Sequence, residues 1–167
     1  DGTSSRLFLN VREQKGYAYD VSSKVSALKT GGAFFGSAET RTEVTVPAIR
    51  EMLAEFERLR REKVSAGDLQ NAKNYLTGLF SLTLSTQGGV AEAMLETRLL
   101  GLAADDLETF RARIESVTAD DVQRVAQLYL APERATLVVV GDAAKLKPVL
   151  AALGPVTLRS AKAGPQR

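Results

Sequence analysis

The segment VREQKGYAYDV, Val11 to Val21, holds the two side chains best suited to chemistry: Arg12 and, seven residues on, Tyr19. A guanidinium and a phenol hydroxyl are both hydrogen-bond donors. Side by side they can hold a carbonyl oxygen and tighten as it becomes an oxyanion. Neither is a nucleophile or a strong base at neutral pH, so the pair reads as a substrate clamp and not as a complete catalyst. A purely structural reading competes with this one. Arginine in a last helical turn complements the helix dipole, and tyrosine at a strand start is common packing. Tyr17 reads as packing, and Arg6 as a solvated or salt-bridged surface group.

The residues that are absent narrow the chemistry further. The 167 residues include no histidine and no cysteine. That removes the Ser-His-Asp triad, the Cys-His pair, HExxH-type zinc sites, thiolate ligands and disulfides. No D-x-D-x-D-G calcium loop occurs. Gly88-Gly89 in STQGGV lacks the Lys-Ser/Thr of a phosphate loop and reads as a turn or helix start. The net charge of +2 is spread along the chain, which argues against nucleic-acid binding. No uninterrupted apolar run is long enough to cross a bilayer, and no signal peptide stands at residue 1. The opening DGTSSRLF lacks an initiator Met, so a processed product or an excised piece is expected.

The elements that must position the pair follow from periodicity. Ser4 and Ser5 suit the cap of a helix with Leu7, Phe8 and Val11 on its apolar face. Gly16 suits the left-handed position that ends it. Tyr19, Val21, Ser23, Val25 and Ala27 then alternate as one face of a strand. Lys29 to Gly32 reads as the turn of a hairpin whose second strand is Ala33 to Arg41. About ninety residues of helical pattern follow. Pro47 lies near the start of the first of these helices. Capping spacing occurs at Ser65 to Asp68 and at Thr118 to Asp121, and stops are expected at Gly101 and Pro132. Ala135 to Gly141, ATLVVVG, reads as a buried strand. Leu146 to Leu153 reads as a last helix and Val156 to Leu158 as a short strand. This order predicts an α+β fold: a mostly antiparallel sheet with helices on one face, thin enough that its first one or two strands are missing. One domain is expected over residues 1–158, with a flexible tail over 159–167.

SSRLFLNVREQKGYAYDV, followed by the GGAF hairpin, resembles the second-half domain of the M16 metallopeptidases, the family of pitrilysin, insulysin and mitochondrial processing peptidase. Ser5, Arg6, Leu7, Phe8, Arg12, Glu13, Gly16, Tyr19 and Val21 fall on the family pattern SRLF-x-x-(L/V)-R-E-x-x-G-x-x-Y-x-V. The stretch from Val64-Ser65 to Leu76 resembles a second family segment, with Asp68 in place of Glu. TLVVVGD, Thr136 to Asp142, resembles the family's final strand. The likeness runs from Thr3 to Leu158.

The resemblance implies a LuxS/M16-like, ferredoxin-related half, with a strand or two of the family domain missing before the first helix. It implies that Arg12 and Tyr19 hold the substrate carbonyl of an unfolded peptide. Zinc, base and water would come from a zinc-bearing N-terminal-type domain or subunit carrying His-x-x-Glu-His, and no cofactor is expected in this chain. Without histidine, the chain alone is not expected to cleave peptides. A catalytically inert scaffold of the same fold is the alternative. An unpaired sheet edge would invite a homodimer. A bacterial source is expected, with the periplasm favoured over the cytoplasm.

Overall fold

Ser5 opens the first helix: its Oγ accepts a hydrogen bond from the Phe8 N–H at 3.3 Å. The computed structural model describes residues 5–103 and 105–160, so Ser4 and most of the expected tail lie outside the described residues. The helix over Phe8–Gln14 is wound as a π-helix. Its wide turn is marked by the Lys15 N–H bonding back five residues to the Asn10 carbonyl at 3.0 Å. Gly16, at φ +63°, ends it. That left-handed backbone is strained for any residue with a Cβ.

β1 (Ala18–Leu28) and β2 (Gly31–Thr40) form an antiparallel pair, the sheet found among the described residues. Leu28 pairs directly with Gly31, so the hairpin turns on Lys29-Thr30 alone. The turn read over Lys29 to Gly32 is therefore two residues shorter than expected, and Gly31 and Gly32 belong to the ladder.

Helices follow: α1 (Thr45–Arg61), α2 (Ala66–Thr83), α3 (Gln87–Leu100), α4 (Asp106–Ser116), α5 (Ala119–Tyr129) and α6 (Ala143–Leu150). Their boundaries are chemical. Ser65 Oγ accepts from the Asp68 N–H, Thr86 from the Gly89 N–H and Asp142 from the Ala144 N–H. Thr118 and Asp121 form a reciprocal capping box. Gly101 closes α3 at φ +71°. The last carbonyls of α1 are taken up by α5, where Gln123 Nε2 donates to the Arg61 carbonyl at 2.9 Å and Gln127 Nε2 to that of Arg60 at 3.0 Å.

The core gathers where the first helix, the start of β1 and α1 meet. It consists of Leu7, Phe8, Val11, Ala18, Val21, Ala48 and Met52, with Tyr17, Ala38 and Phe56 packed against it. Val11 is wholly enclosed. Tyr17 thus packs as expected. α2 and α3 contain no buried residue. α2 is tied to α4 by the Phe80–Phe110 stack at 4.3 Å and by Lys73 donating to the Glu115 carbonyl at 2.6 Å.

Two strand expectations are corrected. Ala135 to Gly141 makes no ladder, and Val138 and Val140 are 83% and 93% exposed. Val156 to Leu158 is also outside any strand. Neither run has a strand partner among the described residues, and β-branched residues form a strand only against one.

Candidate functional site

Arg12 lies in the last turn of the π-helix and Tyr19 one residue into β1. The Gly16 turn reverses the chain between them. The guanidinium carbon of Arg12 stands 4.6 Å from the centroid of the Phe8 ring and 5.8 Å from that of Tyr19. Both distances are within cation–π reach. The structure therefore brings the two residues together, with the guanidinium within reach of a buried ring and an exposed one.

Both residues sit where a backbone ladder carries an extra residue. In the sheet, Ala18 pairs with Thr40 and Asp20 with Glu39, which leaves Tyr19 as a bulge. A bulge re-aims a side chain. Here it turns Tyr19 outward, to 78% exposure, while Ala18 and Val21 take the core face. The strict alternation that would have put Tyr19 and Val21 on one face is broken at this point. In the helix, the wide π-turn does the equivalent job for Arg12, whose side chain is 38% exposed. A partly exposed donor array of this kind, with only a loose 3.8 Å ion contact to Glu13, suits an incoming oxygen ligand.

Beside Tyr19 lies a shallow, open depression of about 420 Å³, lined by Gly16 to Tyr19 and by Glu39, Thr40 and Arg41. A larger cleft of about 920 Å³ lies elsewhere, between β2, α1 and the extended Ala135–Gly141 segment. It contains neither member of the pair.

The helix bearing Arg12 is held on α1 by polar contacts. Asn10 Nδ2 donates to Glu51 Oε2 at 3.2 Å and to Glu55 Oε1 at 2.9 Å. Arg6 Nε lies 3.3 Å from Glu55 Oε2, and Lys15 Nζ lies 3.6 Å from Glu51 Oε1. Arg6 is thus ion-paired, one of the two roles expected for it. Asn10, Glu51 and Glu55 were not singled out by sequence reasoning. A signal existed for Glu55: it falls on the buried stripe of α1 with Thr45, Ala48 and Met52, and a carboxylate on an inward-facing position needs partners.

Comparison with known proteins bears on the fold. A family model described as the peptidase M16 inactive domain matches residues 1–76. An uncharacterized zinc protease of Streptomyces coelicolor is 31% identical over 140 residues, 84% of this chain and 30% of that protein.

The chain is similar to the M16 peptidases, over residues 1–76 to their inactive domain.

Among solved structures, the peptidase M16 inactive domain from Pseudomonas fluorescens superposes with a TM-score of 0.71 at 21% identity, over 79% of this chain and 31% of that one. An inactive peptidase domain from Bordetella parapertussis superposes with a TM-score of 0.64 at 25% identity, over 78% of this chain and 69% of that one. The α+β expectation agrees with these M16 folds. The chain spans under a third of the length of the curated relatives it matches. Relatives in this M16 group carry the name zinc protease. This chain's own residues do not fit zinc: imidazole and thiolate ligands are absent, and no group of three or more Asp or Glu is gathered to hold a metal among the described residues.

Proposed function

We propose that this M16-like domain is the substrate-binding half of a zinc-dependent endopeptidase, and that Arg12 and Tyr19 are its clamp on the scissile carbonyl. The observation that carries the reading is the guanidinium held 5.8 Å over an exposed, bulged tyrosine. Arg12 and the Tyr19 hydroxyl donate to the carbonyl oxygen, and their hold strengthens as negative charge develops there. Cation–π contacts with Phe8 and Tyr19 limit the freedom of the guanidinium before substrate arrives. Zinc, the attacking water and the base belong to an M16 N-terminal-type domain or subunit, and the substrate is an unfolded peptide. The outer edge of β2 is a second contact surface, open to pairing with another copy of the chain. The periplasm is the proposed compartment, to be checked by fractionation.

The test is reconstitution with a zinc-bearing M16 partner and a fluorogenic peptide. Only the mixture should cleave. Arg12→Ala should then lower kcat by on the order of 10²–10³, as removal of an oxyanion donor does. Full turnover by the Arg12→Ala and Tyr19→Phe variants in an assembled pair would make the domain an inert scaffold instead.

A further inference from the structure

The seven residues Phe8–Gln14 wind as a π-helix, a form that seldom lasts beyond a single turn and gathers at functional sites. Nothing in the local sequence demands it: FLNVREQ contains no proline or glycine. The widened turn must therefore be held from outside, and the side chains that reach outside show by what. In a π-helix the ladder runs from each residue to the one five further on, and the wider turn brings a residue and the fifth after it onto neighbouring parts of the helix surface. Asn10 and Lys15 are five apart, and both reach the same carboxylate, Glu51, at 3.2 and 3.6 Å. In an α-helix, at 100° per residue, positions five apart point to nearly opposite sides, and one carboxylate does not serve both. One turn deeper, the buried Glu55 takes Asn10 at 2.9 Å and stands 3.3 Å from Arg6.

We infer that Glu51 and Glu55 are positioning residues that lock the π-register of the first helix and thereby aim Arg12 at Tyr19. Neither carboxylate touches the pair. Each acts through Asn10, with Lys15 and Arg6 as flanking contacts. Reverting the ladder to α spacing shifts the C-terminal half of the helix by one residue, a turn of roughly 100° about its axis. Arg12 then leaves its place beside the Phe8 and Tyr19 rings, while the apolar contacts of Leu7 and Phe8 remain. The assignment rests on the clamp reading only for its catalytic consequence. The register lock itself is a property of this chain alone.

The experiment is NMR of the intact chain. The Arg12 Nε–H resonance, assigned by its loss in Arg12→Lys, should be displaced by the ring currents of Phe8 and Tyr19. Glu51→Ala, at a half-exposed site, should abolish that displacement while the amide resonances of α1 stay in place. Glu51→Gln, which still accepts from Asn10, should restore much of it. Lys15→Ala leaves Asn10 on both carboxylates and should shift the resonance partway. An undisplaced Arg12 signal in Glu51→Ala with α1 folded supports the lock; a signal unchanged in both Glu51→Ala and Lys15→Ala overturns it. In the reconstituted peptidase, Glu51→Ala should lower kcat by about 10- to 100-fold at constant KM, as misplacement of a clamp does. Loss of the NMR displacement with full turnover would leave the lock standing and remove the clamp.

Discussion

Val11 and Arg12 are neighbours with opposite duties. Val11 is fully enclosed between the first helix, β1 and α1, so Val11→Ala should cost about 2 kcal/mol in urea denaturation through lost contacts and the cavity left behind. Arg12 is partly exposed, and its ion contact with Glu13 is a loose 3.8 Å, so Arg12→Ala should leave stability within about 0.5 kcal/mol. A large effect on turnover with little on stability is the signature of a binding residue. Much of this was legible in the sequence. Gly16 announced the reversal that sets Arg12 beside Tyr19. The bulge at Tyr19 was not legible, because a period-two pattern through Tyr19 and Val21 gives no sign of an inserted residue. The π-register was not legible either, since its determinants, Glu51 and Glu55, lie some forty positions away on another helix.

At the scale of elements, the helix ends were the most readable features, because a cap is written in one or two residues. Ser65, Thr118 and Gly101 all stand where capping chemistry puts them. Two consequences can be measured. Gly101 holds a left-handed backbone, and Gly101→Ala should cost about 1 kcal/mol in a thermal melt. Asp121 is held down to about 2 by hydrogen bonds from the Thr118 hydroxyl and backbone N–H, with Arg124 assisting. Its folded value lies below the ordinary 3.8, so the capping box stabilises α5 fully above about pH 4. That contribution is lost as pH falls from there through about 2. The Thr118 amide resonance should follow this window, and Asp121→Asn should remove the titration. Ala135 to Gly141 shows the reverse case. Its composition asks for a strand, but a ladder needs a second row of N–H and C=O groups, which no propensity supplies. The buried strand expected there is absent among the described residues.

For the whole molecule, the accessible surface is 12250 Å². A compact monomer of this length exposes about 8,000 Å². Permanent interfaces bury about 2,000–5,000 Å² counted over both partners, so an excess of this order on one chain leaves room for an extensive one. The excess fits the open cleft beside β2, the bare Val138 and Val140, and the uncovered apolar positions of α2 and α3. The isolated chain should therefore self-associate: sedimentation velocity should show species beyond monomer at micromolar concentration, and Val138→Lys should reduce them. A strictly monomeric chain would mean that these faces are wetted at little cost.

The absence of buried residues in α2 and α3 also has a kinetic meaning. Their backbone amides are protected by little more than the helices' own hydrogen bonds and the contact with α4, whereas those around Val11 share the enclosed core. Deuterium should therefore enter in two stages, first along residues 66–100 in brief local openings and much later around the first helix and α1. The half of the molecule that carries Arg12 would behave as its slow-exchanging foldon, and a partner that covers α2 and α3 would reveal itself by slowing the fast one.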